Sequence, residues 1–302
     1  MRKKINRQWS KGLLFLQCLQ DVLLNRHMAC PSCGGQGGAT VDRRFLLFSL
    51  VRCPQCKLMS RRPFDPLERS VHFYQSLYHE PAVTILPSDA ELESFKQANF
   101  RTYNSFEAWL RLFAQLEVPR DGVIVDFGCN WGYGSWQFRQ AGYQVRSIEL
   151  SQPRAAFARE KLGLTVYSGV DQLPPGEQVD VFFSTHVLEH VASLQGLLEQ
   201  ACQRLKPGGL FFAMTPNGSD AFRRVDEAWW HLLWGRKHCN YLDDVFWRQQ
   251  FAAWPLLLLS RSIKDYQLRL PAGVQVSPAL LDERPMFDMA GHELIVLARK
   301  PR

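Results

Sequence analysis

Val123-Ile124-Val125-Asp126-Phe127-Gly128-Cys129-Asn130-Trp131-Gly132-Tyr133-Gly134 begins as a short apolar run and ends as a glycine-rich turn. A run of that length bounded by glycine reads as a buried strand handing over to a helix, here over residues 135–140 and ended by Gly142. The alternation then repeats. Residues 145–150 predict a second strand, Ser151 and Pro153 the cap and first turn of a helix to residue 162, and residues 179–184 another strand. Residues 193–205 are amphipathic through Leu194, Leu197, Leu198, Ala201 and Leu205; Lys206-Pro207-Gly208-Gly209 should stop that helix before residues 210–215 return to strand. Apolar strands alternating with helices predict an α/β fold, doubly wound, with a mostly parallel sheet covered on both faces.

Ligands of such sheets bind at the carboxyl ends of the strands, where the strand order reverses. Glycines at 128 and 132 let backbone approach a ligand, and Asp126 beside them can meet a cationic or hydroxyl-bearing group. Glu149 ends the second strand, where an acid accepts hydrogen bonds from ribose hydroxyls in dinucleotide and adenosyl-cofactor enzymes alike. A dinucleotide fingerprint begun at Gly128 would need glycine at 130 and 133, and the chain has Asn130 and Tyr133. The NAD-dependent dehydrogenase reading therefore lacks its pyrophosphate site.

Four of the eight cysteines form two C-P-x-C pairs, Cys30/Cys33 and Cys53/Cys56. Two residues between cysteines let one tight turn offer two thiolates, and two such turns complete a tetrahedral zinc site. Residues 41–51 between the pairs are apolar and β-favouring enough for a hairpin arm. Four sulfur ligands close the site, so the expected Zn2+ is structural. Disulfides and a redox pair are the competing readings, and Cys18, Cys129, Cys202 and Cys239 are expected to be ordinary core thiols.

Val125 to Gly132 resembles the first motif of class I S-adenosylmethionine-dependent methyltransferases, and Glu149 matches their ribose-binding acid. Asp180-Val181-Phe182-Phe183-Ser184-Thr185-His186-Val187-Leu188-Glu189-His190 resembles their fourth-strand segment. Leu205-Lys206-Pro207-Gly208-Gly209-Leu210 resembles the turn into the fifth strand, and Gly291-His292-Glu293-Leu294-Ile295-Val296-Leu297 the last strand. The order and spacing match over residues 120–217. The cysteine pairs in front are similar to those of bacterial methyltransferases of sugars, polysaccharides and secondary metabolites, as are Pro216-Asn217, Trp229-Trp230 and His238.

The resemblance implies a Rossmann-like, seven-stranded sheet preceded by a zinc-ribbon-like module, and S-adenosyl-L-methionine as cofactor. Asp126, Gly128, Asn130 and Gly132 would line its methionine end, Glu149 would hold the ribose, and Val170 or Asp171 would sit near the adenine. Ser184, Thr185 and His186 would face the methyl group or acceptor. Asn130 stands where the family has a glycine; asparagine tolerates the left-handed backbone better than other side chains. Among His238, His186 and His190, the first ranks highest as a base for a hydroxyl acceptor, because the segment after the fifth strand commonly walls the acceptor in this family; His186 ranks second. Each competes with a structural role, as do Glu189 as a helix-dipole partner and Trp229, Trp230 and Trp234 as packing residues.

The implied organisation is an amphipathic helix over residues 1–29 (Trp9, Leu13, Leu16, Leu19, Leu23), the knuckle over 30–66, a helical linker or lid over 67–118, and the catalytic domain over 119–302. A single helix is expected over residues 92–116. Basic residues before Gly12-Leu13-Leu14-Phe15-Leu16 look like a signal peptide, but Gln17, Gln20 and Asp21 interrupt the stretch and no small-residue cleavage site follows. No run reaches the ~18 apolar residues of a membrane span, and a cytoplasmic protein is expected. The net charge of +7 is diffuse. A small-molecule or saccharide acceptor is therefore expected ahead of RNA, with a non-catalytic scaffold as the third reading.

Overall fold

The computed structural model describes residues 16–302 except 17–18, 25, 67, 70–84, 236, 265, 267 and 269. Along the chain run β1 (Ala39–Arg44), β2 (Phe48–Arg52), β3 (Met59–Arg62), α1 (Asp89–Gln97), α2 (Glu107–Gln115), β4 (Val123–Phe127), α3 (Tyr133–Gln140), β5 (Gln144–Ile148), α4 (Gln152–Leu162), β6 (Val166–Tyr167) and β7 (Val179–Thr185). There follow α5 (Leu194–Arg204), β8 (Leu205–Pro216), α6 (Asp220–Val225), α7 (Glu227–Leu233), β9 (Asn240–Tyr241), α8 (Asp244–Gln250), β10 (Leu256–Arg261), α9 (Pro278–Asp282) and β11 (Glu293–Arg299).

Seven strands make one sheet in the order β10-β11-β8-β7-β4-β5-β6, parallel from β8 through β6, with β11 running against both neighbours. This is the expected doubly wound, Rossmann-like sheet. Apolar side chains alternate between two clusters, Val125, Phe182, Phe211 and Val296 in one, Ile124, Phe183, Phe212 and Leu297 in the other. Strands so buried on both sides must be mostly apolar, which is why they read as near-continuous runs. The chain enters at β4, moves out to β6 and returns on the other side at β7, so the strand order reverses between β4 and β7. The crevice there opens at the β4 and β7 carboxyl ends.

Three expectations change. The helix over 92–116 is two helices, because Asn99, Phe100 and Asn104 adopt positive φ between them. Phe100 is fully buried against Trp131 and Trp136, and that burial outweighs continuing the helix. The turn at Lys206-Pro207-Gly208-Gly209 lies inside β8, whose pairing with β7 skips from Val179↔Leu205 to Val181↔Leu210. Glu189 and His190 close a single 3-10 turn, so Glu189 has no helix dipole to complement.

The hairpin expected between the cysteine pairs forms as β1 and β2, and β3 adds a third strand. The fourth strand of that small sheet is β9, from the far side of β8: Met59 pairs with Tyr241 and Ser60 with Asn240. Leu50, Met59, Trp230, Trp234 and Tyr241 share one apolar cluster. Trp230 and Trp234 are packing residues, as expected, while Trp229 is exposed. Asp42 of β1 accepts a hydrogen bond from Trp234 Nε1 at 2.8 Å and faces His231 Nδ1 at 2.5 Å.

Of the N-terminal helix, residues 19–23 are helical, with Leu23 exposed and Asp21 buried; Trp9, Leu13 and Cys18 lie outside the described residues. So do Phe73, Tyr74 and Tyr78 of the linker. Among the described residues, no helix is long and apolar enough to cross a membrane.

Candidate active site

The loop after β4 is held by three backbone devices. Gly128 and Cys129 both donate their N–H to the Ile148 carbonyl, at 2.8 and 3.0 Å. Gly128 has φ +83°, and a Cβ there would lie 2.2 Å from Val187 Cγ2, so only glycine fits. Asn130 takes the left-handed conformation at φ 57°, and its Oδ1 accepts the Trp131 N–H at 2.8 Å. The asparagine thus makes the turn that glycine makes in the family.

Glu149, just past β5, is buried at 8% exposure. Its Oε2 accepts the Asn130 N–H at 3.0 Å and its Oε1 the Ser151 N–H at 2.7 Å, with Arg154 at 3.7 Å. Burial raises its pKa, against the opposing pull of Arg154 and the two N–H groups. Asp126 sits behind the loop, accepting Ser135 Oγ–H at 2.6 Å. Burial, with the nearby Glu149 charge, lifts it to about 7 in spite of that hydrogen bond.

Gly128, Asn130, Glu149, Val170, His186 and His238 line one cleft of ≈ 1370 Å³. A single small ligand needs roughly 300–1,000 Å³, so this cleft has room for a cofactor and an acceptor. Thr185 lines it as well. Asp126, Gly132, Asp171 and Ser184 do not reach its wall. Gly132 packs against Leu164 at φ +92°, and Ser184 Oγ is buried without a hydrogen-bond partner among the described residues.

Beyond β7 the histidines gather around one carboxylate. His186 adopts φ 54°, and its Nε2 lies 2.7 Å from Glu293 Oε1; its Nδ1 lies 3.5 Å from Glu189 Oε1. Partial desolvation at the cleft wall would by itself lower its pKa, but hydrogen bonds and charge from Glu189 and Glu293 raise it to about 10. His186 therefore carries a proton at neutral pH and acts as a donor, which argues against it as a base. His238 is the opposite case. Burial lowers it to about 4, and its Nδ1–H donates to the Leu233 carbonyl, leaving Nε2 as the acceptor nitrogen. His190 is also lowered by burial, and its Nδ1 donates to the Lys237 carbonyl at 2.6 Å.

Glu293 and Arg261, paired at 2.6 Å, are the site residues that sequence reasoning missed. Glu293 lay within the last-strand motif without an assigned role. Arg261 ends β10, a strand whose leucine run had drawn no expectation.

The four cysteine sulfurs lie within 4.8 Å of one another, with Cys30–Cys56 at 3.6 Å and Cys33–Cys53 at 3.5 Å. A disulfide would need ~2.05 Å. Tetrahedral Zn–S bonds of ~2.3 Å put sulfurs about 3.8 Å apart, so the donor set fits zinc. Cys129 is a buried core thiol as expected, and Cys202 and Cys239 are partly buried.

A family model described as a methyltransferase domain matches residues 98–254. The chain is 35% identical over 118 residues to the ubiquinone biosynthesis O-methyltransferase of Paramagnetospirillum magneticum, covering 37% of this chain and 45% of that protein. It is 30% identical over 126 residues to the malonyl-[acyl-carrier protein] O-methyltransferase of Pectobacterium atrosepticum, covering 40% and 49%. The chain spans about half the length of the curated relatives it matches. A solved structure of geranyl diphosphate C-methyltransferase from Streptomyces coelicolor A3(2) aligns at 17% identity and TM-score 0.44, over 78% of this chain and 98% of that one. With the match to the family model spanning half the chain, and the motif order borne by this sheet, the protein belongs to the class I S-adenosylmethionine-dependent methyltransferases.

Proposed function

We propose that this protein transfers a methyl group from S-adenosylmethionine to an oxygen of a small-molecule or saccharide acceptor. The observation that carries the reading is Glu149 and His238 on the walls of one cleft, large enough for two ligands. Glu149 would hold the ribose, Gly128 and Asn130 the methionine end, and Val170 the adenine. Asp126, Gly132 and Ser184 support the loop and strand from behind, and Asp171 adjoins Val170.

Bound S-adenosylmethionine supplies an electrophilic methyl group, so the protein's task is chiefly to align the acceptor with it. His238 is the acceptor-side group. With Nδ1–H engaged by Leu233, the nitrogen it offers inside the cleft is Nε2, with its lone pair free of a proton. His186, holding its proton between Glu189 and Glu293, orients the acceptor as a hydrogen-bond donor. Oxygen as the methylated atom is also supported by the relatives named O-methyltransferases.

Structural zinc at Cys30, Cys33, Cys53 and Cys56 completes the reading. It would stiffen the turns that present β3 to β9, and so brace the segment carrying His238.

The test is methyl transfer from labelled S-adenosylmethionine to hydroxylated small molecules and saccharides, with RNA as the comparison. Label in a methyl ether of a small acceptor supports the reading. Label in RNA, or none in any acceptor by protein that binds the cofactor, overturns it.

A further inference from the structure

Glu189 is buried at 1% exposure, yet neither of its oxygens accepts a hydrogen bond of ordinary geometry among the described residues. A buried carboxylate so placed costs several kcal/mol unless cations answer it, and protonated His186 approaches Oε1 without a hydrogen bond of ordinary geometry to either oxygen. The nearest nitrogens are His186 Nδ1 at 3.5 Å and His190 Nε2 at 3.7 Å, both to Oε1. His186 gives its other nitrogen to Glu293 and stands as an outer partner.

His190 and His238 are turned the other way. Each donates Nδ1–H to a backbone carbonyl, of Lys237 and Leu233 respectively, which leaves Nε2 as its acceptor nitrogen; that of His190 lies 3.7 Å from Glu189 Oε1. That is the orientation in which histidine ligates metals, its second nitrogen fixed by a backbone oxygen. One ligand-type atom from each of Glu189, His190 and His238 lies within 4.8 Å of the other two, and all three residues line the cleft.

We propose that Glu189, His190 and His238 bind a divalent first-row cation that in turn binds the acceptor's hydroxyl. Two imidazoles and one carboxylate suit Zn2+, Mn2+, Fe2+ or Co2+, and three protein ligands leave coordination positions open toward the cleft. The binding site stands on its own geometry; its use in catalysis rests on the oxygen-methylation reading above. In that use, His238 acts as a ligand, and the cation lowers the hydroxyl's pKa. The hydroxyl proton passes to water, the oxygen bonds to the methyl carbon, and the carbon–sulfur pair stays on sulfur. A methyl ether and S-adenosylhomocysteine leave, with the cation unchanged.

The probe is Co2+, titrated into the full chain after its cysteine knuckle has been loaded with one equivalent of zinc. One further equivalent should bind, giving ligand-field bands without thiolate charge transfer. His238→Ala should weaken it by at least about tenfold, and Glu189→Gln likewise, while both variants keep their melting temperature and S-adenosylhomocysteine affinity. Absence of ligand-field bands, or equal binding by the wild type and His238→Ala, overturns the inference. Loss of S-adenosylhomocysteine binding with the cobalt site intact would instead overturn the methyltransferase reading and leave the metal site standing.

Discussion

His186 Nε2 lies 2.7 Å from Glu293 Oε1, joining the residue after β7 to the first residue of β11 across the end of β8. The other Glu293 oxygen takes Arg261 Nε at 2.6 Å. The ends of β7, β11 and β10 in the cleft are thereby tied together by charge, beside the cluster around Glu189.

The proton on His186 depends on that carboxylate. Its folded pKa of about 10 is above the ordinary histidine value, so the stabilisation is fully present below about 6.5 and is lost as pH rises through 10. Glu293→Gln should bring the His186 titration down by more than a unit in a proton NMR pH series. An unchanged midpoint would mean that Glu189 alone holds the proton.

Gly128→Ala tests the loop. The new methyl group meets Val187 and the backbone is already at positive φ, so a loss of about 1–3 kcal/mol in urea unfolding is expected. Val187→Ala in the same chain should recover part of it, because it removes the clash and leaves the backbone strain. No recovery would place the cost in the backbone alone.

Asp126 predicts a pH dependence of cofactor affinity. Its pKa of about 7 lies above the ordinary carboxylate value, so below pH 7 it is mostly neutral. The cationic sulfonium favours the ionised form; affinity for S-adenosylmethionine should therefore rise up to about tenfold from pH 6 to pH 8. In Asp126→Asn the slope should vanish. A flat wild-type profile would mean that Asp126 does not sense the cofactor's charge.

The knuckle is expected to carry one zinc, read by elemental analysis as the difference between the wild type and a cysteine variant. Cys53→Ser should lose it and lower the melting temperature by about 5 °C or more, since a structural zinc site contributes folding energy directly. The same variant should perturb Trp230 and Trp234 fluorescence, because β3 hands the knuckle's order on to β9. A variant that melts with the wild type would leave the four sulfurs without a structural role.

Much of this architecture was legible before the structure. The strands β4, β7 and β11 are apolar over most of their length because both faces are covered, and the Gly128 turn and Glu149 follow from where such sheets bind ligands. The segment from 218 to 290 was not legible: β9 is two residues long and earns its place only by pairing with β3, which no local pattern reveals. The break at Phe100 likewise comes from a contact with Trp131, distant in sequence. In the site, the histidines were visible as a set, but their protonation was not. It is decided by Glu293 and Glu189, whose approach depends on the sheet order.

The central claim is that the cleft holds S-adenosylmethionine through Glu149. Calorimetric titration of the zinc-loaded protein with S-adenosylhomocysteine, repeated on Glu149→Ala, tests it most directly. Saturable binding by the wild type, weakened by about 2 kcal/mol or more in the variant, is the predicted result. Folded wild-type protein that takes up no S-adenosylhomocysteine, or a variant that binds it equally well, would contradict the account.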